Sequence, residues 1–272
     1  MKFSTTGQYL SRDSGILQLM DDLGGALDQN RKIYMLGGGN PARIPDVQAF
    51  LRTCLEEALL QPQKFDELVG SYDAPQGNAK FIEAIASLLH NECGWPIGCE
   101  NIAVTNGSQS SFFTLFNLFA GECPNGSQQR ILLPLTPEYI GYGDIGLGQE
   151  LFYSRRPNIK IRGQYEFKYH VDFDHLDIQE DTGAICISRP TNPTGNVVTD
   201  EEILRLREIA AGRDIPLIID GAYGAPFPNI IFTEVTPIWD PGVIVCLSLS
   251  KFGMPGVRTG IVVADDAVIR AV

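Results

Sequence analysis

Short apolar runs recur along the chain from about residue 100 onward, and longer helical or irregular stretches separate them. Apolar runs of about four to eight residues bounded by turn-forming residues are typical of strands buried on both faces. Seven such runs can be placed, at residues 102–105, 130–135, 150–153, 184–188, 217–220, 243–247 and 259–264. Strands that alternate with helices predict an α/β fold with a mostly parallel sheet.

Apolar residues spaced three and four positions apart predict helices over 45–60, 77–90, 108–120 and 199–211. The last of these has a clear start, because Thr199 is followed three residues later by Glu202, the spacing of a capping box. The first forty residues contain a glycine-rich stretch at 37–39 and are interpreted as an arm and a turn. The sequence shows no internal repeat.

Length and charge narrow the class of protein. The chain has 272 residues, more than the usual domain of about 100 to 150, so we expect one large α/β domain with an appendage. The formal charge of -12 opposes binding to nucleic acid. Residues 1–15 lack the pattern of a secretory signal, and no stretch approaches the roughly 18 apolar residues of a membrane span.

The cysteine and histidine residues give no indication of a disulfide framework or a metal site. The six cysteines are scattered without a C-x-x-C pair, so we expect reduced thiols in a cytoplasmic protein. The three histidines form no i, i+4 pair, and we assign no metal.

Lys251 lies in the most informative segment, Ser-Leu-Ser-Lys-Phe-Gly-Met-Pro-Gly-Val-Arg at 248–258. Its amine can hold an aldehyde covalently, while Ser248, Ser250 and Arg258 can hold a phosphate. Pyridoxal phosphate carries both groups. The alternative interpretation of this segment by itself is a solvated lysine in a loop.

Two further polar groups follow apolar strands. Asp220 ends the run at 217–220, and a carboxylate beyond the carboxyl end of a strand can face a bound cofactor and keep a pyridine nitrogen protonated. Asn192 follows the run at 184–188 in a turn containing Pro190 and Pro193 that would aim its amide in one direction. A turn aspartate and an ordinary Asn-Pro-Thr-Gly turn are the alternatives.

Gly107, Ser108 and Gln109 lie where the strand at 102–105 gives way to the helix at 108–120. Backbone N–H groups at a helix N-terminus can bind phosphate, although an ordinary serine cap has the same sequence. Residues 141–146 also match the G-x-G-x-x-G dinucleotide string. Pro134 and Pro137 separate that string from the preceding strand, so a dinucleotide site is not predicted there.

Taken in order, these motifs resemble those of class I and II aminotransferases, the fold type I enzymes that use pyridoxal phosphate. The motifs are Gly107-Ser-Gln, Asn192-Pro-Thr-Gly, Asp220-x-x-Tyr223 and Ser248-x-x-Lys251 through Arg258. The resemblance implies a three-layer α/β/α large domain with a seven-stranded sheet, an N-terminal arm and part of a small domain. Within this family, the segments at 36–42, 105–110, 137–142 and 188–196 are most similar to the valine–pyruvate aminotransferase group.

The resemblance also implies roles for individual residues. Lys251 would carry the cofactor and move protons, Asp220 would pair with the ring nitrogen, and Asn192 and Tyr223 would hydrogen-bond the phenolic oxygen. The implied phosphate ligands are Gly107, Ser108, Gln109, Ser248, Ser250 and Arg258. Tyr139 would stack on the ring, with Tyr142 as the alternative. Tyr72 would reach the phosphate of a neighbouring subunit in a homodimer, and Gly38, Gly39 and Asn192 would approach the substrate.

The implied reaction transfers an amino group from an amino acid to a 2-oxo acid, with L-valine and pyruvate giving 3-methyl-2-oxobutanoate and L-alanine. The implied domains are an arm and small-domain segment at 1–60 and the cofactor domain at 61–272. Family members continue well beyond the strand at 259–264, so we expect the C-terminal small domain to be absent and the substrate site incomplete. Two alternatives remain open: a β-lyase on the same fold, and a cofactor-binding chain without catalytic activity.

Overall fold

A computed structural model describes residues 2–27, 40–148 and 150–272. The described helices are α1 (Thr5–Leu10), α2 (Gly15–Leu27), α3 (Pro45–Leu59), α4 (Pro62–Gly70), α5 (Ala79–Cys93), α6 (Ser108–Phe119), α7 (Asp200–Ala211) and α8 (Asp266–Ile269). The described strands are β1 (Ile102–Thr105), β2 (Gly121–Glu122), β3 (Gln128–Leu133), β4 (Phe152–Ser154), β5 (Asn158–Arg162), β6 (Glu166–His170), β7 (Thr182–Ser188), β8 (Leu217–Asp220), β9 (Val243–Ser248) and β10 (Gly260–Val263).

The main sheet has the strand order β1-β10-β9-β8-β7-β3-β2, and β4 also pairs with β3. The pairs β4–β3, β3–β7, β7–β8 and β8–β9 are parallel, whereas β10 is antiparallel to both of its neighbours. All seven predicted strands are present, so the expected mostly parallel α/β sheet is confirmed. The two-residue strand β2 makes the observed sheet eight-stranded.

Helices cover both faces of this sheet. On one face, α6 buries Phe112, Leu115 and Phe116 against side chains of the central strands. On the other face, α5 and α7 pack in a second buried cluster that includes Leu89 and Leu206. Every residue of β7, β8, β9 and β10 is buried, because successive side chains point alternately into the two helix layers. This arrangement is the predicted three-layer architecture.

Helix α7 begins where the capping box predicts. Thr199 Oγ1 accepts a hydrogen bond from the Glu202 backbone N–H at 3.2 Å, and Glu202 Oε2 accepts one from the Thr199 N–H at 2.9 Å. These two bonds satisfy donors that the first turn of a helix otherwise leaves unpaired. The local sequence therefore fixes the position of α7 against the sheet.

The first forty residues, interpreted from sequence as an arm and a turn, include the helices α1 and α2. The predicted strand at 150–153 begins later, at Phe152, because Glu150 has a left-handed backbone with φ 58°. The hairpin of β5 and β6 was not predicted. In β5 the apolar residues Ile159 and Ile161 alternate with charged residues, so the strand has no unbroken apolar run. Every residue of β5 is exposed.

Helices α3 and α4 bury none of their residues, whereas α5 buries four. This difference in burial is compatible with a boundary between an N-terminal segment and the cofactor domain. The division at residue 60 stays a prediction.

Candidate active site

Three parallel strands end in polar side chains at one edge of the sheet. Ser188, Asp220 and Ser248 are the last residues of β7, β8 and β9, and all three are buried. Ser188 lies directly opposite Asp220 in the strand register. The carboxyl ends of parallel strands are where α/β sheets bind ligands, so this edge is the candidate site.

Asp220 is held by two hydrogen bonds. Its Oδ2 accepts from the Tyr142 hydroxyl at 2.5 Å, and its Oδ1 accepts from the Ala222 backbone N–H at 2.9 Å. Burial raises the pKa of the Asp220 carboxyl, and these two hydrogen bonds partly oppose the rise. A buried carboxylate of this kind is stabilised by a cation, which is the chemistry that a protonated pyridine nitrogen offers.

Tyr142 and Tyr139 differ sharply in their surroundings. Tyr142 is 2% exposed, and its ring packs edge-on to Phe116 with the centroids 5.3 Å apart. Tyr139 is half-buried, with its ring centroid 5.5 Å from that of Tyr142 at an interplanar angle of 85°. Only Tyr139 therefore keeps accessible ring surface for a ligand. Tyr142 instead serves as a hydrogen-bond donor to Asp220.

Lys251 and Tyr223 lie next to each other. The Lys251 Nζ is 5.4 Å from the centroid of the Tyr223 ring. Burial lowers the pKa of the Lys251 amine, which increases its neutral, nucleophilic fraction. Burial first, and then the charge of Asp220, raise the pKa of Tyr223, while a side-chain hydrogen bond with Asn192 lowers it. The structure thus brings the four predicted ring-binding residues to one place.

The N-terminus of α6 forms a tight cradle with the segment before β10. Gly107 has φ 89°, and a Cβ at this position would collide with the Arg258 guanidinium. A Cβ on Gly260 would lie 2.6 Å from the Ser108 backbone nitrogen. The Gln109 Oε1 is buried with no hydrogen-bond partner among the described residues. A cation and free helix N–H groups together fit a bound phosphate ester.

The remaining predicted residues lie in other environments. Ser250 is half-buried, and its backbone N–H donates to Ser248 Oγ at 3.1 Å. The Tyr72 side chain is fully exposed and does not join the cluster. Gly38 and Gly39 fall outside the described residues.

Sequence reasoning missed Glu138. Its Oε1 accepts from the Ser188 backbone N–H at 2.9 Å, and its Oε2 accepts from the Ser188 hydroxyl at 2.6 Å. Burial, assisted by the charge of Asp220, raises the pKa of Glu138 to about 7. An acid in a proline-containing loop gave no signal of this burial.

The described part of the chain gives no indication of a metal site, a membrane span or a dinucleotide site. No cluster of three or more His, Cys, Asp or Glu side chains there could hold a metal ion. None of the helices described has both the length and the apolar character needed to cross a membrane. The glycine string at 141–146 overlaps a short 3-10 helix, Ile140–Asp144, and is not at a strand-to-helix turn.

Comparison with known proteins agrees with this geometry. The family profile for class I and II aminotransferases matches residues 54–272. The valine–pyruvate aminotransferase of Escherichia coli (strain K12) is 52% identical over 272 residues, which are 100% of this chain and 65% of that protein. The chain thus spans less than two thirds of this relative.

Two solved structures are similar over most of the chain. One, from Psychrobacter arcticum 273-4 and described as an amino-acid aminotransferase, has a TM-score of 0.92 at 49% identity, covering 100% of this chain and 66% of that one. The valine–pyruvate aminotransferase from Salmonella typhimurium LT2 has a TM-score of 0.83 at 52% identity, covering 94% and 62%. The chain therefore belongs to the class I and II aminotransferases, a family that depends on pyridoxal phosphate.

Proposed function

We propose that this chain forms the cofactor-binding part of an aminotransferase that moves an amino group between an aliphatic amino acid and a 2-oxo acid. The observation that carries the proposal is the convergence of Lys251, Tyr223 and Asp220 at the carboxyl edge of the sheet. L-valine and pyruvate are the proposed substrates, because the Escherichia coli and Salmonella typhimurium relatives are valine–pyruvate aminotransferases.

When bound, pyridoxal phosphate supplies an aldehyde that accepts an amine and a ring that withdraws electrons. Lys251 would hold the aldehyde covalently, since its amine is half-buried and its pKa is lowered by burial. When it is not bound to the aldehyde, the same lysine amine would accept the α-proton of the substrate amino acid and later give a proton back. It would then act as a general base and a general acid in turn.

Asp220 would keep the ring nitrogen protonated, because its buried carboxylate is oriented by Tyr142 and Ala222. Tyr223 and Asn192, which share a hydrogen bond, would bind the phenolic oxygen. Tyr139 would cover one face of the ring. These three interactions orient the cofactor and exclude water from part of its surface.

The phosphate would lie against Arg258 and the N-terminus of α6. Gly107 and Gly260 lack side chains where a Cβ would collide with Arg258 and with the helix backbone. Ser108, Gln109, Ser248 and Ser250 are the other proposed phosphate ligands. Tyr72, fully exposed on this chain, would reach the phosphate of a second subunit in a homodimer.

The test of cofactor binding is spectroscopic. Purified protein is titrated with pyridoxal phosphate, treated with borohydride and digested, and the modified lysine is located by mass spectrometry. We expect the label on Lys251 and its loss in Lys251→Ala. Lys80→Ala, which removes an exposed lysine from α5, is the matched control. Label spread over several surface lysines in both variants would contradict the proposal.

The test of the reaction is a half-reaction followed without a second substrate. L-valine added to the loaded protein should convert the cofactor to its amine form and release a 2-oxo acid. Release of ammonia and pyruvate from a substrate with a β-leaving group, without any need for a 2-oxo acid, would indicate a β-lyase instead. Cofactor binding without either conversion would leave a binding chain and refute the proposed transamination by this chain.

A further inference from the structure

A network of hydrogen-bonded oxygen atoms connects Glu138, which is partly buried, to the buried Asp220. Glu138 Oε2 lies 2.6 Å from Ser188 Oγ, and Ser188 Oγ lies 3.1 Å from the hydroxyl oxygen of Tyr142. The Tyr142 hydroxyl lies 2.5 Å from Asp220 Oδ2. Tyr142, Ser188 and Asp220 are each less than 10% exposed, so bulk water does not separate these contacts.

The number of protons in this hydrogen-bond network depends on the charges of the two carboxyl groups at its ends. A serine and a tyrosine hydroxyl donate one proton each, and an ionised carboxylate donates none. With both carboxylates ionised, two protons would serve three oxygen–oxygen contacts, and one contact would set lone pair against lone pair. One additional proton satisfies all three contacts. The hydrogen-bond network is therefore satisfied when the two carboxyl groups together carry a single negative charge.

The two ends of the network face different surroundings. The charge of Asp220 acts on Tyr139 and Tyr223, the side chains proposed to contact the cofactor ring. Glu138 is separated from Asp220 by Ser188 and Tyr142, and its Oε1 accepts from the Ser188 backbone N–H at 2.9 Å. A cationic ring nitrogen would stabilise the negative charge at Asp220 and not at Glu138.

We propose that Glu138 carries the additional proton and, through Ser188 and Tyr142, fixes the single negative charge on Asp220. A protonated Glu138 would donate to Ser188 Oγ, which reverses the hydrogen bond that an ionised Glu138 accepts from the Ser188 hydroxyl. The Ser188 hydroxyl would then donate to the Tyr142 oxygen, and Tyr142 donates to Asp220 Oδ2. Glu138 is thus a positioning residue that acts through two others. This inference rests on the proposed function for its cationic partner, although the proton itself can be detected without cofactor.

The pKa values of the groups in and around this hydrogen-bond network agree with a proton on Glu138. Burial raises the pKa of Glu138 to about 7, and the charge of Asp220 contributes to the rise. Burial and Asp220 likewise raise the pKa of Tyr142 far above its usual value. The titratable and charged groups that face the network from the neighbouring elements are Asp220, Tyr142, Tyr139, Tyr223, Cys186, Cys246 and Arg258. The thiols of Cys186 and Cys246 are buried with raised pKa values and remain neutral.

The decisive measurement is infrared spectroscopy of the wild-type protein with and without pyridoxal phosphate. A protonated buried carboxyl gives a C=O band distinct from that of carboxylates. Protein labelled with ¹³C only at glutamate carboxyls should show this band shifted, and the band should disappear as the pH rises above neutrality. A band that labelling of glutamate leaves in place, or no band at pH 6, would overturn the proposal.

Variants test the positioning role. Glu138→Gln offers an N–H to Ser188 Oγ and a carbonyl to the Ser188 N–H, as the protonated acid does, while Glu138→Ala offers neither. We expect the cofactor dissociation constant to rise about tenfold in Glu138→Ala and to stay within about threefold in Glu138→Gln. Equal weakening in both variants would contradict positioning by a neutral donor. If an alanine variant does not fold, the isotope experiment on wild-type protein still decides.

Cofactor binding and the glutamate carboxyl band are separate measurements, so each can fail without the other. A wild-type protein that does not bind pyridoxal phosphate refutes the proposed function, yet its infrared band still locates the proton. A protein that binds the cofactor on Lys251 without a glutamate carboxyl band refutes the inference alone.

Discussion

The protonation of Glu138 can be measured through the stability of the folded chain. Its pKa rises from an ordinary value of 4.5 to about 7 in the folded protein, because the carboxyl is buried. A carboxyl whose folded pKa is raised binds its proton more tightly in the folded than in the unfolded state. Its contribution to stability is therefore complete below pH 4.5 and is lost as the pH rises through 7.

The size of the effect follows from this change in pKa. At about 1.36 kcal/mol per pKa unit, the rise from 4.5 to about 7 corresponds to about 3 kcal/mol of unfolding free energy. Glu138→Gln keeps a similar volume and the hydrogen bonds to Ser188 but does not titrate. The free energy of unfolding of the wild type, relative to this variant, should fall by most of that amount between pH 5 and pH 8.

The assay is urea unfolding at several pH values, followed by circular dichroism without cofactor. Glu57→Gln, which removes an exposed charge from α3, is the matched control and should track the wild type at every pH. Taking differences between variants removes the contribution of the other carboxyl groups. A difference between wild type and Glu138→Gln that does not change with pH would refute the reasoning, because Glu138 would then titrate alike in both states.

Two substitutions test the packing that supports the site. Gly260→Ala would place a Cβ 2.6 Å from the Ser108 nitrogen and should lower the unfolding free energy by about 1–3 kcal/mol in a thermal melt, whereas Gly70→Ala, with no atom within 4 Å, should change it little. Leu89→Ala empties a fully buried position on α5 and should cost about 2–5 kcal/mol, while its neighbour Leu88, 38% exposed, should lose far less as alanine. Similar losses for both members of a pair would contradict the assigned packing.

The sequence was most informative where burial is complete. Strands β7, β8 and β9 are buried on both faces, so their apolar runs were unbroken and their positions could be predicted. The hairpin of β5 and β6 gave no such run, because Ile159 and Ile161 are exposed and alternate with charged residues. The alternation in this hairpin is itself a strand pattern, and it was missed because only unbroken apolar runs were interpreted as strands.

For the site, sequence could indicate residues but not their neighbours. Tyr139 and Tyr142 lie three residues apart, and only the turn at Ile140–Asp144 decides which ring enters the core. Glu138 became visible only when that turn and the end of β7 were placed together, since its partners are the N–H and hydroxyl of Ser188, fifty residues away. Long-range contacts of this kind leave no pattern in a single sequence.

The arrangement of the strands suggests that cofactor binding and substrate selection depend on different parts of the protein. Asp220 and Ser248 end parallel strands, and β10, antiparallel between β1 and β9, begins at Gly260 beside the N-terminus of α6. The proposed cofactor contacts therefore follow from the sheet itself. The proposed contacts to substrate and to a second subunit involve residues outside the sheet, such as the exposed Tyr72. Because Tyr72 is proposed to contact the cofactor phosphate of a second subunit, Tyr72→Phe should weaken cofactor binding, measured by titration with pyridoxal phosphate, in a dimer and leave it unchanged in a monomer.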